Sequence, residues 1–224
     1  KVIGDSLSKK ITSMIERGKI TVFDGVYTDK EINRMNGWFG SYQHWGLGYD
    51  MLEYGAASAT LCKSLKWDMW SGMHIMLDDM QNLMRERLDS YIDVPYFHRC
   101  LMNNFKFGDS PMYHKDAMAE DAMTFMVYPN DKWDLNWGGY TTFADDDDNV
   151  IDAINPKPGR VVAFPSSLNH SGVAPTKVHE GYGRFSVAFQ DPSGTSDPST
   201  RTPSMPADVL LNTGPTMGMR LING

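Results

Sequence analysis

Cysteine, long apolar runs and surplus positive charge are all scarce in this chain. Only Cys62 and Cys100 occur among 224 residues. Two cysteines do not build a disulfide framework, so a reducing cytoplasm is the expected setting. No apolar run is long enough to cross a bilayer as a helix, so no membrane partner is expected. The opening residues Lys1-Val2-Ile3-Gly4-Asp5 lack the apolar core of a signal peptide. They also lack an initiator methionine, which leaves a trimmed leader open. Lysine and arginine number 21 against 28 acidic residues, a formal net charge of -7. A general nucleic-acid binder carries a basic face, so this balance argues against a nucleic-acid partner.

A chain of this length can bury one core, and one domain is the default. The sixteen methionines read as adaptable core filler rather than a metal box. Ile11, Met14 and Ile15 recur at helical spacing, which predicts a helix over 5–17 capped by Asp5 or Ser6. Lys19 to Phe23 reads as a strand. Thr28-Asp29-Lys30-Glu31 is a capping-box pattern and predicts a helix through about Met35. Residues 38–70 read as irregular and hold Trp38, Trp45, Trp67 and Trp70. From Gly72 to Ile92, Met76, Met80, Leu83, Met84, Leu88 and Tyr91 mark the apolar face of a helix.

The pattern changes after Pro95. Short β-rich runs to Gln190 are separated by Gly, Pro, Asn and Asp clusters. The predicted fold is mainly β with flanking helices: a jelly roll (double-stranded β-helix) with the N-terminal helices packed on one sheet. The expected division is helical support over 1–95, a jelly-roll core over 96–190 and an extended tail over 191–224. That tail is rich in Pro, Ser, Thr and Gly, and it is expected to lie against its own domain or a partner. The acidic run Asp145 to Asp148 reads as a solvated hairpin tip.

The residues that carry chemistry are ordered along this β-rich half. His114-Lys115-Asp116 comes first, then Asn169-His170-Ser171, then Gly183-Arg184-Phe185-Ser186. Residues i and i+2 of an extended segment point to one side, so His114 and Asp116 can grip one ion. Two histidines and an aspartate form the facial triad of non-haem Fe(II), with positions left open. Arg184 and Ser186 are again i and i+2, suited to holding one carboxylate. His44, His74 and His98 have no partner pattern, His179 reads as a surface residue and Arg160 as structural.

With Trp137-Gly138-Gly139-Tyr140-Thr141-Thr142-Phe143 and Pro156-Lys157-Pro158-Gly159-Arg160-Val161-Val162-Ala163-Phe164-Pro165 between these motifs, the segment from Phe105 to Gln190 resembles the Fe(II)/2-oxoglutarate dioxygenases, in their prolyl 4-hydroxylase-like branch. The resemblance implies a dioxygenase domain over 1–190 and catalytic roles for His114, Asp116, His170 and Arg184. Iron would sit on His114, Asp116 and His170. The far carboxylate of 2-oxoglutarate would reach Arg184, with Tyr128 and Ser186 adding hydroxyl donors. O2 is the co-reactant, and ascorbate is a candidate auxiliary reductant. Related halogenating enzymes lose the carboxylate that Asp116 supplies here, so hydroxylation is implied. Some prolyl hydroxylases carry a tryptophan where this chain runs Ser186-Val187-Ala188-Phe189-Gln190.

The substrate implied first is a prolyl residue in a peptide. A free amino acid or another small metabolite stays open, as does a non-catalytic metal-binding jelly roll. Residues 38–70, 129–137 and 145–150 are the expected substrate loops. Trp133, Trp137 and Tyr140 are candidates for an aromatic mouth.

Overall fold

The computed structural model describes residues 11–42, 46–47, 61–66, 75–95, 97, 99–109, 111–119, 121–176 and 183–190. Strands β1 (Ser13–Arg17) and β2 (Ile20–Asp24) form a hairpin, with Arg17 opposite Ile20. Gly18 turns between them at φ +59°, a conformation glycine adopts without the Cβ clash that other residues meet. The helix expected over 5–17 is therefore corrected for its described part. Ile11, Met14 and Ile15 share a helical spacing, but the glycine turn and pairing with β2 place residues 13–17 in a strand. Met14 and Ile15 are both 43% exposed, so no apolar helical face is formed. The proposed cap at Asp5 or Ser6 lies outside the described residues.

Helix α1 (Asp29–Ser41) starts at the capping box read from the sequence. Glu31 N–H donates to the Thr28 hydroxyl, and Thr28 N–H donates to the Glu31 carboxylate. The helix runs six residues past Met35, because Phe39 continues the buried face of Ile32 and Met35. Trp38 therefore belongs to α1, packed edge-on against Phe39, and not to an irregular loop. Strands β3 (Gly46–Leu47) and β4 (Leu61–Lys66) also interrupt the stretch read as irregular. Trp45, Trp67 and Trp70, together with His44, His74, His98, His179 and the tail, lie outside the described residues.

Helix α2 (Ile75–Leu88) buries Met76, Met80, Met84 and Leu88 of the stripe read from the sequence, adds Leu77, and leaves Leu83 only partly buried. Tyr91 lies beyond the helix and is largely exposed. No helix among the described residues is long and apolar enough to cross a membrane.

The remaining strands are β5 (Arg99–Phe105), β6 (Met123–Val127), β7 (Thr141–Ala144), β8 (Val150–Ile154), β9 (Val161–Pro165), β10 (Asn169–Gly172) and β11 (Arg184–Gln190). They make an eight-stranded sheet in the order β1-β2-β9-β6-β11-β5-β4-β3 and a three-stranded sheet in the order β10-β7-β8. Every neighbouring pair of strands in both sheets is antiparallel. His114 forms a further bridge to His170, which adds a short fourth line to the small sheet. The N-terminal region thus contributes four strands to the large sheet as well as two helices.

Strand alternation explains how the large sheet is buried on both faces. On β6 and β9, Phe125, Val127, Val161 and Ala163 join the helices in one core. Met126, Tyr128, Val162 and Phe164 join Phe143 and Ile154 of the small sheet in the other. The second core fills the jelly roll and forms the floor beneath the polar residues that face its mouth.

Arg87 ties α2 to the start of α1. Its guanidinium donates twice to the Glu31 carboxylate, at 2.8 and 2.9 Å, and once to the Val26 carbonyl. The Arg87 hydrogen bonds are the main reason that the Glu31 pKa falls from 4.5 to about 2. A folded-state pKa below the unfolded one stabilises the fold above the unfolded value, and that contribution is lost as pH falls through the folded value. Glu31→Gln keeps the capping box, since Gln also serves at that position. The gap in thermal midpoint between wild type and Glu31→Gln is expected to shrink as pH falls from about 4.5 to about 2. A gap that stayed constant across this range would show that the ion pair does not set it.

Candidate active site

His114 and His170 are held opposite one another by two backbone hydrogen bonds, each N–H donating to the other's carbonyl at 3.0 Å. Their rings come to 4.5 Å between centroids. Asp116, two residues after His114, is anchored by its own N–H donating to the Ser166 carbonyl at 2.8 Å. The ligating atoms of His114, Asp116 and His170 all lie within 4.8 Å of one another. The HxD spacing and the distant histidine thus converge on one point. Among the described residues this is the one grouping of metal-ligating side chains.

The hydrogen bonds around the cluster decide its chemistry. His114 Nδ1 lies 3.0 Å from the Met112 carbonyl, and His170 Nδ1 lies 2.9 Å from the Leu168 carbonyl. A carbonyl only accepts, so both Nδ1 atoms carry the proton and both Nε2 atoms present lone pairs. Those Nε2 atoms face the two oxygens of Asp116, each at 3.6 Å. Acceptors turned toward one another across such gaps are repulsive unless a cation sits among them. Two imidazoles and a carboxylate match the donor set that Fe(II) takes. Burial, the largest influence, holds the His170 pKa below its ordinary value, and His114 adds to this. Asp116 and the Leu168 carbonyl oppose it. The net direction keeps the ring neutral, the form that ligates.

Thr124 and Ser166 support the carboxylate, and sequence reading missed both. Thr124 Oγ1 donates to Asp116 Oδ2 at 2.7 Å and contacts Ser166 Oγ at 2.9 Å. Thr124 shares the inward face of β6 with Met126 and Tyr128, and that parity was the available signal.

Arg184 opens β11 and is only 1% exposed. Its Nε donates to the Gly139 carbonyl at 3.0 Å, Nη1 to Ser186 Oγ at 2.9 Å and Nη2 to Thr141 Oγ1 at 2.6 Å. The guanidinium carbon lies 5.1 Å from the Phe105 ring centroid and 5.0 Å from that of Tyr128, so two aromatic rings flank it. Burial lowers its pKa, with Tyr128 opposing, yet arginine stays charged. Among the described residues no carboxylate pairs with it. A buried cation without a counter-ion is costly, and an arriving carboxylate relieves that cost.

The glycines around Arg184 are there for room. A side chain at Gly139, at φ +74°, would press on the Trp133 ring and the Arg184 stem, and one at Gly172 would collide with Phe105.

Ser186 and Arg184 share the expected face. Tyr128 is fully buried and donates to Thr141 Oγ1 at 2.8 Å, so its hydroxyl is spent on the threonine that accepts from Arg184. Thr141 is a third residue that sequence reading did not single out. Trp133 and Trp137 meet edge-on behind Gly139, and Trp133 Nε1 donates to the Gly138 carbonyl. Neither they nor Tyr140 line the cavity that joins Arg184 to the histidines. Arg160 holds Asp24 through two hydrogen bonds of 2.7 and 2.8 Å, a structural link.

The cavity between the cluster and Arg184 is about 30 Å³ and is lined by His114, Asp116, His170, Arg184, Ser186 and Asn103, among others. A larger cleft of about 580 Å³ opens elsewhere, beside Arg17, Lys115, Asp146 and Asn169. The residues flanking the histidines point into it, but the ligating residues do not line it. The chemistry therefore belongs to the smaller space. The acidic run sits at the β7–β8 tip, where the Asp145 carboxylate accepts from the N–H groups of Asp147 and Asn149. Lys115 pairs with Asp146 at 3.0 Å.

Residues 100–189 match the family model described as the 2OG-Fe(II) oxygenase superfamily. No curated protein matches the chain. Several solved structures share its fold. A prolyl-4-hydroxylase from Pseudomonas putida is 13% identical with a TM-score of 0.52, over 77% of this chain and 91% of that one. A Trichoplax adhaerens prolyl hydroxylase, solved with a hypoxia inducible factor oxygen degradation domain peptide fragment, is 15% identical with a TM-score of 0.53, over 77% and 82%. A Burkholderia pseudomallei oxidoreductase of the 2OG-Fe(II) oxygenase family is 12% identical with a TM-score of 0.54, over 79% and 85%.

Proposed function

We propose that this chain, whose residues 100–189 match the 2OG-Fe(II) oxygenase superfamily model, is a member of that superfamily and hydroxylates a prolyl residue in a peptide or protein. It is a 2-oxoglutarate-dependent dioxygenase that uses Fe(II), 2-oxoglutarate and O2. In our reading His114, Asp116 and His170 hold the iron, and Arg184 with Ser186 holds the far carboxylate of 2-oxoglutarate. The observation that carries this reading is a single one: a buried guanidinium with no carboxylate partner among the described residues shares one small cavity with three converging acceptors.

The chemistry that iron supplies when bound is activation of O2 against 2-oxoglutarate, with succinate and CO2 released and one oxygen atom inserted into a substrate C–H bond. The chain's own residues do the rest. The Met112 and Leu168 carbonyls fix both imidazole tautomers, so that each ring presents Nε2. Thr124 fixes the Asp116 carboxylate by donating to one of its oxygens. Gly139, Thr141 and Ser186 aim the guanidinium, whose planar fork suits a carboxylate. Phe105, Phe164 and Met126 supply apolar walls to the cavity. His114 is the exposed member of the three, its side chain 49% accessible against 7% for His170 and 4% for Asp116. Substrate would approach on that side.

The prolyl assignment is supported by the branch resemblance around Tyr128 and by fold neighbours that are prolyl hydroxylases. Proline-containing peptides, free proline and other amino acids are to be supplied separately. Succinate formation is then measured together with a product mass gain of about 16 Da, one oxygen per coupled turnover. The peptides are expected to give both signals. Succinate coupled to oxidation of a different metabolite, with no proline-derived product, would defeat the prolyl assignment and leave the oxygenase intact.

A further inference from the structure

Resting on the assignment of Arg184 as the carboxylate-binding residue, we infer that Asn130 is a positioning residue for the cosubstrate site: it grips the backbone on both sides of Arg184. Its Nδ2 donates to the Gly183 carbonyl at 3.0 Å, and the Phe185 N–H donates to its Oδ1 at 2.9 Å. Arg184 is the one residue between those two groups. Asn130 is only 4% exposed, so both bonds are shielded from water.

The reason lies in the end of a ladder. On one side β11 pairs with β5 along its whole length, starting at Arg184 opposite Phe105. On the other side it pairs with β6 only from Val187 to Gln190, where Val187 stands opposite Val127. The start of β11 therefore has no strand neighbour on the β6 side. The chain cannot continue the ladder regularly there, because Pro129 has no N–H to give. The Asn130 side chain, an amide like the peptide group itself, supplies the missing donor and the missing acceptor. Its orientation is fixed, since a carbonyl needs the NH2 end and an N–H needs the oxygen end.

The same short segment serves Arg184 from other sides. Tyr128 lies against its guanidinium, and the Gly139 carbonyl accepts from its Nε. Residues 129–137, expected to form a substrate loop, thus include a part that works on the cosubstrate instead. A free start to β11 would let the Arg184 fork swing away from the carboxylate position, and a small misplacement of that kind costs binding steeply.

Calorimetric titration of the Mn(II)-loaded protein with 2-oxoglutarate, without O2, tests this directly. Asn130→Ala removes both bonds; Asn130→Asp keeps the acceptor for Phe185 and loses the donor to Gly183. Both variants are expected to weaken 2-oxoglutarate binding about tenfold or more, with Mn(II) affinity unchanged. A 2-oxoglutarate affinity within about twofold of wild type in either folded variant would overturn the inference, whatever happened to thermal stability. Amide hydrogen exchange of the wild-type protein gives a measurement that needs no variant: the Phe185 amide is expected to be strongly protected, and free exchange there would overturn it too. Arg184→Gln separates the two ideas. If that variant binds 2-oxoglutarate like wild type, the Arg184 assignment itself fails; if it loses binding while the Asn130 variants keep it, only the inference about Asn130 fails.

Discussion

Arg184→Lys is expected to raise the Michaelis constant for 2-oxoglutarate by roughly thirty- to a thousand-fold, the equivalent of about 2–4 kcal/mol for a lost charge-assisted pair. The charge is retained, yet the change is not conservative. The guanidinium uses three of its nitrogens on Gly139, Thr141 and Ser186, and this fixes the plane of the fork. An ammonium group cannot make that set of bonds, and it cannot bind a carboxylate through two parallel N–H groups. It would also leave the Thr141 and Gly139 acceptors short of a donor in a buried place. Iron binding is expected to survive, because the Arg184 guanidinium donates to Gly139, Ser186 and Thr141 and to none of His114, Asp116 and His170. An unchanged Michaelis constant in Arg184→Lys and Arg184→Ala would place the carboxylate pocket elsewhere.

Loss of a histidine should have the other large effect. His114→Ala and His170→Ala are each expected to remove most Fe(II), measured as metal per chain after desalting, since two ligands rarely hold this ion tightly. The two variants differ in what they leave behind. His170 packs against Phe164 and Phe143, at 4.8 and 6.1 Å between ring centroids, so its removal also opens a hole in the core between the sheets. His114 is half exposed, and its removal should cost the metal with little loss of stability. Full iron stoichiometry in both variants would end the metal assignment. In the wild type, iron affinity should fall as pH drops below about 6, because protons compete with the metal for imidazole. The depressed pKa of His170 keeps that ring available further into acid. Occupancy that stayed flat from acid to neutral pH would count against histidine ligation.

The parts of the site that were legible in the sequence are those set by strand parity. His114 with Asp116, and Arg184 with Ser186, are i and i+2 pairs, and an extended backbone alone puts each pair on one side. The capping box at Thr28 was legible for a similar reason, being local chemistry over four residues. Thr124, Ser166, Thr141 and Asn130 were not. Each is a common polar residue whose role depends on register between strands far apart in the chain. Thr141 accepts from Arg184, 43 residues away, and Asn130 meets Gly183 across 53. Nothing near either residue announces the partner.

The misreadings have physical causes too. The spacing of Ile11, Met14 and Ile15 fits a helix, but Gly18 permits a tight hairpin, and the edge of β2 offered hydrogen bonds to Ser13–Arg17. Trp38 opens the stretch read as irregular, and Gly37 and Gly40 lie on either side of it. The buried positions of Ile32, Met35 and Phe39 carried the helix past both glycines. Trp133 and Trp137, candidates for an aromatic mouth, are half-buried beside the Gly138-Gly139 turn that delivers a carbonyl to Arg184.

Anaerobic titration of the purified protein with Fe(II) and 2-oxoglutarate tests the central assignment most directly. A weak visible absorption band, of the kind an Fe(II) chelate of a 2-oxo acid gives, is expected only when both are present. It should saturate at one equivalent of each, vanish in His170→Ala, and need far more 2-oxoglutarate in Arg184→Lys. Stoichiometric iron binding with no band at any 2-oxoglutarate concentration would contradict the account.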